Sequence, residues 1–277
     1  MKDMRFNFSS KIISMPLLIV IFLAIASCGD KKDKSNDEKM KENEKMEEPN
    51  MTTAINELSE KEKEEGWQLL FDGKSTKGWR GYNKDDFPNH GWTVENGTLM
   101  LKGSGAGEAG GAGDIIYDEK FKDFELSLEW KISEGGNSGI FYLAQELEDQ
   151  PIWKSAPEMQ ILDNEKHPDA RLGKNGNRKS GSLYDLIPAD PQNAKPVGQW
   201  NTVKVLVYRG TVVHSMNGKN VLEYHLWTDD WKDMVENSKF AGWKDFINAG
   251  GEDRSGYIGL QDHGDEVQFR NIKIKEL

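Results

Sequence analysis

Nine consecutive residues, Phe124–Ile132 ("FELSLEWKI"), alternate without a break between apolar Phe124, Leu126, Leu128, Trp130 and Ile132 and polar Glu125, Ser127, Glu129 and Lys131. A period of two is the mark of a strand with one face against a core and the other in water. The same grammar recurs along the chain. Asn96-Gly97 and Asn217-Gly218 each separate two strand-like runs. Asn-Gly is the strongest short hairpin signal, because both central residues of a type I′ turn need positive φ. Thr202–Tyr208 is apolar at most positions and predicts a central strand. Gly139–Ala144, Glu158–Leu162, Tyr257–Leu260 and Val267–Ile274 predict four more. In the last of these the apolar positions switch from odd to even between Phe269 and Ile272, which predicts a bulge near Arg270 and Asn271. No strand–helix–strand rhythm is present, so a parallel sheet is not expected. The expected fold is all-β: a two-sheet antiparallel sandwich of jelly-roll type.

Two segments interrupt this pattern. Gly103–Gly113 is a glycine-rich loop. It lacks the strand-to-helix setting and the Lys-Ser/Thr that phosphate cradling requires. Asp229–Ile247 carries Trp231, Met234, Phe240, Trp243 and Phe246, some at helical spacing. It predicts a short helix or packed loop at the sandwich edge, with its aromatics engaged in packing.

The N-terminal residues belong to a different regime. Lys2, Arg5 and Lys11 precede an apolar run, Met15–Ala26, of signal-peptide length and too short to span a bilayer. The run ends in "AIAS" before Cys28, the single cysteine of the chain. Residues 1–28 are therefore expected to be a lipoprotein signal, with Cys28 as the lipid-bearing residue that anchors the mature protein in the cell envelope. Residues 29–65 are dense in Lys, Glu and Asp and predict a solvated, disordered tether. Gly66–Leu277 is long enough for one large core. The formal net charge of -11 argues against a nucleic-acid partner.

Polar groups with chemical potential collect where strands end. Gln261, Asp262, His263 and Asp265 form a knot between two strands. Imidazole titrates near neutral pH, which makes His263 the first candidate for proton transfer. On the Glu158–Leu162 strand, Glu158 and Gln160 share one face while Met159 and Ile161 share the other. Glu158 thus reads as a second catalytic candidate, Gln160 as a sugar-binding amide, and Asp163, just past the strand, as a third catalytic candidate. Asn137 and Ser138, in the "GGNSG" turn, could bind hydroxyls. Trp200 reads either as core or as a stacking platform. His214 shares a face with Val212 and Met216 and reads as packing, and Arg270 reads as one half of a structural ion pair.

Five blocks, "GWQLLFDGKSTKGW" (Gly66–Trp79), "DFELSLEWKISEGGNSGIFY" (Asp123–Tyr142), "EMQILDN" (Glu158–Asn164), Gly198–Tyr224 and "GYIGLQDHGDEVQFRNIKI" (Gly256–Ile274), closely resemble the 3-keto-disaccharide hydrolase domain family. The resemblance implies a concanavalin A-like jelly roll that acts on glycosides oxidised at carbon 3 of the glucose ring. It raises the standing of Glu158 and adds Tyr184 and Asp185 as possible site members. It also implies a partner oxidoreductase that makes the ketone. The glycine loop at Gly103–Gly113 is longer than the family pattern. A ketone at carbon 3 acidifies the hydrogen at carbon 2, so such a site needs a base, an acid for the leaving group and a stabiliser for the enolate oxygen. Two other readings stay open: a conventional two-carboxylate glycosidase on the same fold, and a glycan-binding module without turnover. No zinc spacing and no twelve-residue calcium loop is present. Oxygen ligands for a divalent ion could come from Asp163, Asn164 and Glu165, or from Asp262 and Asp265.

Overall fold

The computed structural model describes residues 54–105 and 110–277; the signal segment and Cys28 lie outside them. Thirteen strands follow one another: β1 (Trp67–Leu69), β2 (Trp79–Gly81), β3 (Trp92–Glu95), β4 (Thr98–Leu101), β5 (Ile115–Phe121), β6 (Phe124–Ile132), β7 (Asn137–Ala144), β8 (Glu158–Leu162), β9 (Asn201–Tyr208), β10 (Thr211–Met216), β11 (Lys219–His225), β12 (Gly256–Leu260) and β13 (Val267–Glu276). They form two sheets. The larger has the order β11-β10-β9-β6-β13-β4-β3, with β1 added on β13, and the smaller has the order β2-β5-β12-β7-β8. Every pairing is antiparallel.

The sandwich follows from the alternation. Phe124, Leu126, Leu128, Trp130 and Ile132 of β6 meet Ile140, Tyr142, Met159, Ile161, Ile258 and Leu260 of the smaller sheet in one buried cluster. Both Asn-Gly pairs close hairpins with positive φ at each residue, 50° and 73° at Asn96-Gly97 and 48° and 81° at Asn217-Gly218. The bulge in β13 lies where the register shifts between Arg270 and Lys273, with Asn271 at φ 52°. One polar chain crosses the core: the Tyr142 hydroxyl lies 2.8 Å from His214 Nε2 and 2.7 Å from the Tyr224 hydroxyl. His214 Nδ1 faces the Gly181 carbonyl at 3.0 Å. A carbonyl can only accept, so Nδ1 carries the proton, Nε2 accepts from Tyr142, and Tyr224 donates to Tyr142.

The fold begins earlier than the charge pattern predicts. Ser59 caps a short helix, α1 (Glu60–Glu64), through a reciprocal capping box with Glu62. Glu62 also pairs with Lys273 on β13. Asn56 and Asn271 exchange hydrogen bonds: Asn56 N–H donates to Asn271 Oδ1 at 2.6 Å and Asn271 N–H to Asn56 Oδ1 at 2.8 Å. Asn56 Nδ2 also donates to the Gly97 carbonyl at 2.8 Å. Residues 54–65, expected in the tether, therefore dock on the sandwich. Composition hides this because the docking is polar and uses the backbone of the β13 bulge rather than buried apolar surface.

In the smaller sheet, β7 and β8 are buried at every position, so both of their faces are covered. One face meets the larger sheet. The other lies beneath the irregular segments around Pro151–Ala156, the loop 163–190, and the region holding helices α2 (Asp229–Glu236) and α3 (Lys244–Ile247).

Candidate active site

A cleft of about 450 Å³ opens on this second face. Its floor comes from adjacent strands in register: Gly139 pairs with Gln160 and Phe141 with Glu158. The side-chain alternation of β8 sends Met159 and Ile161 into the core and Glu158 and Gln160 into the cleft. Gly139 makes this possible, since a Cβ there would collide with the Glu158 carboxylate. Asn137, Gln261 and His263 close one end, and Tyr184 and Lys239 flank the side. The chain thus unites Glu158, Gln160, Asn137, Tyr184, Gln261, Asp262 and His263, drawn from four separate stretches.

The charges of the cleft are unusual for carboxylates. Glu158 is buried, and among the described residues its carboxylate has no hydrogen-bond partner. Burial pushes its pKa up to about 8; the Lys239 cation pulls against this, and the charges of Asp114 and Asp169 add to it. Asp114, a half-buried residue whose carboxyl end is enclosed, is pushed up to about 7. Burial is the main cause, opposed by the Asp262 N–H that it accepts at 2.9 Å and reinforced by the Asp262 charge. Lys239 is lowered by its burial, against the attraction of Asp185. Two further groups are poised but unanswered. Asn137 Oδ1 and Gln261 Oε1 are buried without a hydrogen-bond partner, which costs about 1–3 kcal/mol each unless a ligand supplies a donor.

Asp262 lines the cleft but is already committed. Its Oδ2 accepts from the backbone N–H groups of Gly111, Ala112 and Gly113 at 2.8, 2.7 and 2.8 Å, and its Oδ1 accepts from Gly264 N–H at 2.9 Å. It is the clasp that holds the end of the glycine loop against the site.

Four expectations are placed elsewhere. Asp163 is not in this cleft: its carboxylate accepts from Gly135 N–H at 2.7 Å, Glu165 N–H at 3.0 Å and Lys166 N–H at 3.2 Å. Burial raises its pKa, but these amides outweigh it and hold the group below its ordinary value. Asp163 is a turn organiser, because a carboxylate just past a strand end meets the free N–H groups of its own turn. Trp200 lies on the solvent face of the larger sheet, with Arg270 4.0 Å and Lys131 5.0 Å from its ring centroid. Ser138 points away from the cleft and donates to the Gln261 carbonyl at 2.9 Å. Asp185 stands one layer back, bound to Arg178 Nε at 2.6 Å and 3.7 Å from Lys239 Nζ. Arg178 also binds Asp169 at 2.7 Å, and Asp169 accepts from the Tyr184 hydroxyl at 2.8 Å, so this ionic lattice orients Tyr184.

Sequence reasoning missed Asp114, Lys239 and the aromatic end of the cleft. Asp114 opens a strand after a glycine loop, where no spacing marks it. Trp153, Phe240, Trp243 and Phe246 line the far end. Trp153 and Trp243 lie 5.4 Å apart, and Lys154 Nζ sits 3.5 Å from the Trp243 ring centroid. The aromatics of 229–247 read from sequence as packing rather than ligand contacts; Trp231 packs, being 1% exposed, while Phe240, Trp243 and Phe246 also face the cleft.

Comparison with known proteins agrees with the fold. A 3-keto-disaccharide hydrolase of Bacteroides thetaiotaomicron is 55% identical over 230 residues, covering 77% of this chain and 79% of that protein. A solved structure assigned as a candidate glycosyl hydrolase of Parabacteroides distasonis superposes with a TM-score of 0.70 at 32% identity, covering 80% of this chain and 99% of that one. A second candidate glycosyl hydrolase of the same organism gives 0.58 at 26%, covering 76% and 99%. Residues 66–275 match the 3-keto-alpha-glucoside-1,2-lyase-like domain, and the chain belongs to that family.

Proposed function

We propose that this protein cleaves the glycosidic bond of glycosides whose glucose ring is oxidised at carbon 3. The observation that carries this reading is the pairing of two carboxyl groups of raised proton affinity, Glu158 and Asp114, in one cleft that also holds two buried amide oxygens without hydrogen-bond partners. Buried acceptors such as Asn137 Oδ1 and Gln261 Oε1 suit the hydroxyl groups of a sugar.

The chemistry divides between the two acids. Asp114, whose ionised form is favoured by the Asp262 N–H that it accepts, is the carboxylate that takes the proton from carbon 2. Glu158, buried without such a bond, keeps its proton and hands it to the leaving oxygen as the bond to carbon 1 breaks. Lys239, the cation of the cleft lining, stabilises the negative charge on the carbon 3 oxygen. Water then adds across the new double bond and restores a 3-keto sugar, so the net reaction is hydrolysis. His263, first choice from sequence alone, lies in the same cleft.

The test compares a 3-keto-glucoside with its unoxidised parent. Release of the leaving group from the first alone supports the mechanism, and equal rates on both overturn it. That second outcome would favour the conventional two-carboxylate reading, to which the same Glu158 and Asp114 pair lends support. The proposal extends to place: a lipid on Cys28 holds the protein at the cell envelope, where a separate oxidoreductase acting on carbon 3 of the sugar supplies the substrate.

A further inference from the structure

Adjoining the cleft through His263 stand three side chains that the glycoside chemistry does not use together. His167, His263 and Asp265 each offer a ligand atom, and all three atoms lie within 4.8 Å of one another. His263 Nδ1 is 4.0 Å from Asp265 Oδ2. The two imidazole rings meet edge to face at 79°, with centroids 5.9 Å apart. Ligand atoms about 2.0–2.3 Å from one ion are separated by roughly 3–4.5 Å, so a small closure brings the trio to coordination distance.

Each of these groups is tied to its surroundings by hydrogen bonds. Asp265 Oδ2 accepts from Asn137 N–H at 3.0 Å. His167 heads the 3-10 turn Pro168–Arg171, and its own N–H donates to the Asp163 carbonyl at 3.1 Å. His263 follows Asp262, the residue clasped by three amides of the glycine loop. An independent observation points to a ligand at the same place. Asn137 is 3% exposed, lines the cleft alongside His263, and its Oδ1 has no partner.

We infer that His167, His263 and Asp265 form a binding site for a first-row divalent cation adjoining the cleft, with Asn137 Oδ1 as the neighbouring oxygen donor. Two imidazoles with one carboxylate and open positions suit iron, cobalt, nickel, zinc or manganese; the oxygen count is too low for calcium. Because His263 and Asn137 line the cleft, an ion held here would, on the glycoside reading, take oxygens of the sugar and draw electron density from its carbonyl.

Loading has a structural signature. His167 Nδ1 accepts from Asp169 N–H at 3.2 Å, so the imidazole proton sits on Nε2. Coordination through Nε2 moves that proton to Nδ1 and breaks the bond to Asp169. The Asp169 amide therefore reports binding without any turnover.

The experiment uses the purified chain without a histidine tag, stripped with chelator and titrated with cobalt(II), then with zinc(II). The expected result is one equivalent bound, a visible cobalt d–d band, and a shifted Asp169 amide resonance with zinc. His167→Ala and Asp265→Asn are expected to weaken binding by at least tenfold and remove the band, while near-ultraviolet circular dichroism stays native. Asp265→Asn keeps the volume and an acceptor for Asn137 N–H, so it guards against a folding defect. Binding of unchanged strength in both variants, or no stoichiometric binding by the parent chain, overturns the site. Because these readouts need no substrate, their failure leaves the glycoside reading standing. Inactivity on 3-keto-glucosides would in turn leave the metal result untouched.

Discussion

Gly139 and Glu158 occupy one volume: the position where any other residue at 139 would carry its Cβ is filled by the Glu158 carboxylate. Register dictates the encounter. β7 and β8 run antiparallel with Gly139 opposite Gln160, so the strand next to Glu158 must be bare at that point for the acid to lie flat in the floor. The strand glycine and the catalytic candidate are therefore one device.

Replacing Gly139 with Ala should push the Glu158 side chain out of its seat. We expect kcat on a 3-keto-glucoside to fall by about two orders of magnitude, as small misplacements of reacting groups do. The cost in stability should be about 1–3 kcal/mol, the usual range for an overpacked site. Steady-state kinetics with urea denaturation separates the two effects, and a variant of full activity would refute the coupling.

The carboxyl pair predicts a bell-shaped pH profile for kcat/KM, with its maximum between about 7 and 8. The rising limb reports ionisation of Asp114 and the falling limb that of Glu158, read as macroscopic values of the pair. Stability moves as well. A Glu158 pKa raised above its unfolded value means that the folded state holds the extra proton between about 4.5 and 8, so its contribution is full below that window and is lost as pH rises through it. Glu158→Gln should flatten that slope, as measured by denaturation at pH 5, 7 and 8.5.

At the acid end the controlling group is His214. Burial lowers its pKa to about 4, so between about 6.5 and 4 the unfolded chain takes up a proton that the folded one refuses. Stability should fall as pH drops through that window. His214→Gln should lose the slope, while also costing stability through the broken Tyr142–Tyr224 chain. A denaturation series from pH 7 to pH 4 checks both.

Asp163 and Asp262 should separate cleanly. Asp163→Asn is expected to keep kcat within a few fold and to lose about 1–2 kcal/mol of stability, since it weakens bonds to turn amides. Asp262→Asn should instead release Gly111–Gly113 and raise KM by tenfold or more, with faster amide exchange at those three residues. Comparable kinetic defects in both variants would contradict the separation.

The scaffold was legible because its signals are local and periodic. The β6 alternation, two Asn-Gly turns and the odd-to-even switch at Phe269 and Ile272 each specify backbone geometry within a few residues. The inward face of Glu158 and Gln160 was legible for the same reason. Asp114 and Lys239 were not, because what distinguishes them is enclosure by distant segments. Asp163 misled because a strand-end carboxylate looks alike whether it awaits substrate or its own turn amides. Trp200 misled because an aromatic stacked between Lys131 and Arg270 on an outer face has the same sequence appearance as one lining a cleft.

The mutual grip of Asn56 and Asn271 determines how a pull on the N-terminal end enters the molecule. Tension along that segment would load two side-chain amides crosswise at the middle of the final strand. It would reach the bulge before it could unzip any edge. The Asn56–Asn271 pair is thus a shear lock, and a version cut to begin at Gly66 would surrender it.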